Sequence, residues 1–123
     1  MVLTSQGSHT WLVQISTLVK TQLMFIERNT FHLKFGAGKE ALQLWSDYLR
    51  TACDADPKLQ VRLLTDLTGD AYVLVLELSY ETYAELEPSL CRLTRQPGWK
   101  AFYEQFIPLC ERSERVLYKN VYP

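Results

Sequence analysis

The chain has 123 residues, 47% of them hydrophobic, the size of one ordinary domain with enough apolar material for a core. Thirteen Lys and Arg stand against fourteen Asp and Glu, a net charge of −1, so no field favours nucleic acid or an anionic membrane and neither is expected as a partner. The three cysteines, Cys53, Cys91 and Cys110, are odd in number and form no C-x-x-C pair and no Cys/His cluster with zinc-site spacing, so no metal is expected and a reducing cytosol fits.

The first charge in the sequence is Lys20, and polar residues interrupt the apolar stretch from Trp11 to Ile26. A secretory signal begins with a basic segment, and a membrane span needs about 20 mostly apolar residues. The expectation is a soluble, cytoplasmic protein.

Residues 1–22 read as an N-terminal tail. Residues 1–10 carry no periodic pattern. In 11–22, Trp11, Val13 and Ile15 alternate with Gln14 and Ser16, a pattern open to an extra edge strand or a short helix. Residues 23–123 read as one domain. Phe31, Leu33 and Phe35 fall on one face of a strand, and Arg28, Thr30, His32 and Lys34 on the other. Gly36-Ala37-Gly38 ends that strand. Ala41, Leu42, Leu44, Trp45, Tyr48, Leu49 and Ala52 then wind onto one side of a helix, closed by Asp54, Asp56 and Pro57.

Residues 60–67 and 71–79 read as a hairpin around Thr68-Gly69-Asp70. Its second strand is apolar on both faces, with Tyr72, Leu74, Leu76 and Leu78 on one and Ala71, Val73 and Val75 on the other. A second helix is predicted over 81–95, with Pro88 kinking or breaking it. Pro97-Gly98 restarts a helical stripe of Trp99, Phe102, Tyr103, Phe106, Ile107 and Cys110, bent by Pro108. Residues 115–122 read as a closing strand.

The order strand, helix, strand, strand, helix, strand implies an α+β, ferredoxin-like unit: a four-stranded antiparallel sheet with helices on one face. Its other face would show Ala71, Val73 and Val75 to water, an apolar patch that monomers seldom carry. A second copy packed sheet to sheet would cover it, so a homodimer is expected.

The segments E-R-N-T-F-H-L-K-F-G-A-G-K-E at 27–40, L-L-T-D-L-T-G at 63–69, L-E-L at 76–78, P-G-W-K-A-F-Y at 97–103 and R-V-L-Y at 115–118 resemble the NIPSNAP-like proteins of the dimeric α/β-barrel superfamily. The resemblance covers about residues 24–121. It implies the fold and a homodimer. The superfamily also includes antibiotic-biosynthesis monooxygenases and haem-degrading enzymes, whereas most of the NIPSNAP-like branch has no assigned reaction, so the resemblance implies no mechanism.

Candidate chemistry concentrates on one face of the first strand. Arg28, Thr30 and His32 converge there, with Glu77 breaking the apolar face of the strand at 71–79, as ligand-binding anchors in an apolar barrel cavity. His32 and Glu77 are the catalytic candidates, as proton acceptor and general acid or base. Against this, His32 can simply bond a neighbouring strand, and Glu77 can pair with Arg28 or Arg62. Trp45, Trp99, Phe102, Tyr103 and Phe106 offer the lining of a haem or aromatic-substrate pocket, but they sit at helical core spacing, which favours core packing, and the cysteines read as buried, inert thiols. A haem-degrading activity would call for an axial histidine, for which the sequence offers only His9 and His32, so no cofactor is expected. The leading expectation is a cytosolic homodimer that binds a small apolar or aromatic molecule. The alternatives are a cofactor-independent monooxygenase or isomerase, and a purely structural or interaction dimer.

Overall fold

The computed structural model describes residues 24–85 and 91–122. The elements are β1 (Phe25–Leu33), α1 (Gly38–Ala55), β2 (Val61–Thr65), β3 (Val73–Tyr80), α2 (Trp99–Phe106) and β4 (Cys110–Lys119). All strand pairs are antiparallel and the sheet order is β2-β3-β1-β4, the ferredoxin-like arrangement. The tail expected over 1–22, its extra strand, and the kink at Pro88 lie outside the described residues.

One face of the sheet carries Phe25, Phe31 and Leu33 from β1 and Leu74, Leu76, Leu78 and Tyr80 from β3, joined in one core with the helices. Helix α1 meets this layer through Ala41, Trp45, Tyr48, Leu49 and Ala52. Ala41 and Ala52 are fully buried. Having no side chain beyond Cβ, they let the helix axis come close to the sheet. Helix α2 adds Phe102 and Phe106, which pack with Trp45, Tyr48 and Trp99 in edge-to-face and stacked ring pairs. Phe102 and Phe106 of the stripe are therefore core, while Tyr103 and Ile107 are exposed.

Several boundaries differ from the sequence reading. Phe35, expected in the helix-facing layer, is 90% exposed. The β1–β3 pairing ends at His32 and the β1–β4 register shifts at Leu33, so the alternation does not carry into the turn that follows. Ala71 and Tyr72, expected in the strand, instead have left-handed φ angles of 66° and 54° in a loop before β3. The Asp66 carboxylate holds that loop, accepting the Ala71 N–H at 2.7 Å and the Val73 N–H at 3.2 Å.

Of the helix expected over 81–95, the described residues show bends at 81–82 and a 3₁₀ turn at Tyr83–Glu85 in place of its start, and helix over 91–94; residues 86–90 lie outside the described residues. Helix α2 ends at Phe106, and Pro108 lies in the 3₁₀ turn Ile107–Leu109, as a ring without an N–H dictates. Strand β4 begins at Cys110, five residues before the expected start.

Candidate functional site

Alternation along the strands places Ile26, Arg28, Thr30 and His32 of β1 on the face away from the helices, with Val73, Val75 and Glu77 of β3. The register sets Glu77 directly between Arg28 on β1 and Arg62 on β2. Arg28 donates from Nε to Glu77 Oε2 at 2.8 Å, with its Nη2 2.7 Å from the same oxygen. Arg62 donates from Nε to Oε1 at 3.1 Å. The Arg28 guanidinium also lies 5.1 Å from the centre of the Tyr118 ring.

Glu77 is only 2% exposed. Burial alone would raise its pKa, but the hydrogen bonds and charges of Arg62 and Arg28 outweigh burial and hold the carboxyl below the usual glutamate range. It is an ion-paired carboxylate, and the raised-pKa acid considered for it is set aside.

His32 belongs to a separate group. Its Nε2 is 3.4 Å from Glu114 Oε1, and Glu114 is also paired with Arg112. In the β1–β3 register His32 faces Val73 while Glu77 faces Arg28. Four residues of strand, about 13 Å, therefore separate the two catalytic candidates. Thr30 stands between them, opposite Val75. Of the four expected anchors, only Arg28 and Glu77 touch.

A cavity of about 290 Å³ opens on the opposite, helix-covered side of the sheet, between β1, β3, β4 and α2. Its wall is largely aromatic and aliphatic, with Phe31, Trp45, Leu76, Trp99 and Phe106 among the lining residues. Trp45 is 2% exposed, and its indole Nε1–H has no hydrogen-bond partner among the described residues.

Polar groups join this wall from β1 and β4. Glu27, 1% exposed, accepts the Arg115 Nε–H at 2.8 Å on Oε1 and the Asn29 Nδ2–H at 3.0 Å on Oε2. Nearby, burial and then the Glu27 charge push the Tyr80 hydroxyl pKa well above its ordinary value, so Tyr80 stays protonated. The sequence reading missed Glu27, Asn29 and Arg115. One sign of them was available: Glu27 and Asn29 share the parity of Phe31 and Leu33, where a polar residue must find a buried partner.

A second, wider recess of about 520 Å³ lies between the start of α1 and the loop before β3. All three cysteines are unpaired, and burial raises the thiol pKa of Cys53 and Cys110. Among the described residues no cluster of three or more His, Cys, Asp or Glu could hold a metal ion, and no helix is long and apolar enough to cross a membrane.

No protein-family model matches the sequence, and no curated protein does. Solved structures do match. An uncharacterised NIPSNAP domain protein from Burkholderia xenovorans is 24% identical, with a TM-score of 0.65 over 76% of this chain and 91% of that one. A NIPSNAP family protein of unknown function from Agrobacterium tumefaciens is 22% identical, with a TM-score of 0.67 over 80% and 88%. SnoaB, a cofactor-independent oxygenase from Streptomyces nogalater, is 17% identical, with a TM-score of 0.60 over 82% and 96%. The chain shares a NIPSNAP-like, ferredoxin-like fold with these proteins.

Proposed function

We propose that this chain is a homodimeric NIPSNAP-like barrel protein that binds a small, largely apolar molecule. The observation that carries the reading is the cavity of about 290 Å³ behind the sheet, walled largely by aromatic and aliphatic side chains. Ligand sites are concave and mostly apolar, with a few polar groups that fix orientation, and they begin at about 300 Å³. The open sheet face supports the dimer: Val73 and Val75 flank the Arg28–Glu77–Arg62 cluster there, and a second copy would cover them. In that assembly Arg28, Thr30, His32 and Glu77 line the space between the two sheets. Three unpaired cysteines support a reducing, cytoplasmic compartment.

Native mass spectrometry of the protein purified from its own host tests this reading. The expected result is a dimer with a discrete extra mass; a bare monomer overturns it. A second reading, a cofactor-independent oxygenase, takes its support from the likeness to SnoaB. It requires dioxygen consumption when the retained molecule is added back.

A further inference from the structure

The open face of the sheet carries one more cation than anions. Register and alternation put Arg28 of β1, Arg62 of β2 and Arg112 of β4 on this face, against the carboxylates of Glu77 on β3 and Glu114 on β4. Arg112 is matched by Glu114. Arg28 and Arg62 share the single carboxylate of Glu77. One guanidinium here is uncompensated, although the whole chain has a net charge of −1.

Both arginines are held in place with part of their donors unused. Arg28 directs Nε and Nη2 at Glu77 Oε2, and Arg62 directs Nε and Nη2 at Oε1. A guanidinium has five N–H donors around a planar fork, so the outer edge of each group, Nη1 with the second Nη2 hydrogen, has no partner among the described residues. Tyr118 lies against the flat face of the Arg28 group and leaves that edge open. Such an edge matches a carboxylate with two parallel hydrogen bonds. The neighbours on the same face are aliphatic: Ile26 and Val116 beside Arg28, and Leu64 and Val75 beside Arg62 and Glu77.

Two sheets packed face to face would enclose the unmatched charge of both copies. Burying a cation without a counter-charge is costly, and an anion seated between the sheets removes that cost. We infer that the space between the two sheets takes an aliphatic carboxylate, whose oxygens bind the free edges of Arg28 and Arg62 while its alkyl chain packs on the aliphatic side chains around them. This rests on the homodimer reading, and it adds a site apart from the cavity behind the sheet. An alkyl carboxylate is favoured over inorganic phosphate because the four flanking side chains offer no donor to the remaining phosphate oxygens.

Sedimentation equilibrium over a concentration series, with octanoate, octanol or inorganic phosphate added, tests it. Where the dimer does not dissociate, the exchange rate of labelled and unlabelled subunits reads the same quantity. A ligand enclosed between two copies strengthens their association, whereas one bound behind the sheet of a single chain does not. Octanoate at about ten times its own Kd is expected to lower the dimer dissociation constant about tenfold, and octanol at the same concentration to leave it unchanged. Arg62→Gln leaves Glu77 paired with Arg28 alone, so its dimer should be as tight as the unliganded parent's or tighter, and octanoate should no longer strengthen it. If that variant does not fold, the contrast between octanoate and octanol in the parent decides.

An Arg62→Gln dimer weaker than the parent's overturns the inference, because the second copy then already supplies the matching anion. Equal effects of octanoate and octanol, or no effect of either on a dimeric parent, overturn the carboxylate and leave the homodimer standing. An effect of phosphate equal to that of octanoate overturns the alkyl chain. A parent that sediments as one chain with and without octanoate ends the homodimer reading, and the inference with it.

Discussion

Arg28 and Glu77 face each other across the β1–β3 ladder, with the guanidinium Nη2 2.7 Å from the carboxylate Oε2. Because the folded-state pKa of Glu77 is depressed, its contribution to stability is complete above the ordinary value of 4.5 and is lost as pH falls through the lower folded value. The protein should therefore lose stability with acid more steeply below about pH 4.5 than Glu77→Gln does. At neutral pH the variant should be weaker by only about 1 kcal/mol, since solvent screens the half-exposed Arg28 and the exposed Arg62. Parallel thermal melts of the two proteins across the acid range would show it; parallel curves would count against the ion pair.

Tyr80 presents the opposite case, a buried hydroxyl with no hydrogen-bond partner among the described residues, beside the Glu27 charge. Removing an unsatisfied polar atom from a packed site relieves a penalty. Tyr80→Phe should match or exceed the parent in urea denaturation, by up to about 1 kcal/mol. A loss larger than that would mean the hydroxyl has a partner after all.

The two glycines around Ala37 should respond differently to the same change. Gly36 has a φ of 82°, and a Cβ there would meet no atom within 4 Å, so Gly36→Ala is penalised by backbone strain alone, about 1 kcal/mol. Gly38 opens α1, and its Cβ would rest in ordinary contact 3.4 Å from Tyr72 Cδ1. There Ala is expected to leave stability within about 0.5 kcal/mol of the parent or to raise it, because Ala favours helix over Gly. Chemical denaturation midpoints that ranked the pair the other way would contradict the turn geometry.

Val75 lies at the centre of the open sheet face, level with Thr30 and Leu64. A carboxylate there should drive apart a pair of sheets packed face to face without disturbing either chain. Sedimentation of the parent should give twice the 14.3 kDa chain mass, and Val75→Glu should give the single chain with an unchanged far-ultraviolet spectrum. A parent that sediments as one chain removes the dimer outright.

How much of this was legible from residue order depends on whether the signal is local. The alternation around Phe31 and Leu33 and the stripe from Ala41 to Ala52 each report a face directly, and β1 and α1 follow within a few residues. The same alternation misplaced Phe35, because period two carries no mark where hydrogen bonding stops. Strand β4 begins with Cys110, Glu111, Arg112 and Ser113, a half-exposed cysteine followed by exposed polar residues at a sheet edge, so its first half has no apolar pattern to read. The pairing of Glu27 with Arg115 spans 88 positions and depends on the β1–β4 register, which neither residue encodes alone. The positions of His32 and Glu77 were likewise fixed by register, which sent them to different ion-paired groups.

The ring cluster of the core has an optical consequence. Trp45 and Trp99 are two of the three tryptophans, with ring centroids 6.3 Å apart and planes inclined at 60°; the third, Trp11, lies outside the described residues. Two indoles this close and this oriented share their excited state, and Tyr48 and Tyr103 feed energy into them from 6.4 and 5.2 Å. The near-ultraviolet dichroism should therefore carry a two-signed band that Trp99→Phe collapses to one sign. Both chromophores line the same enclosed space, so any absorbing or electron-poor guest entering it would extinguish the paired emission together. The protein thus carries its own dye, seated where a guest would arrive.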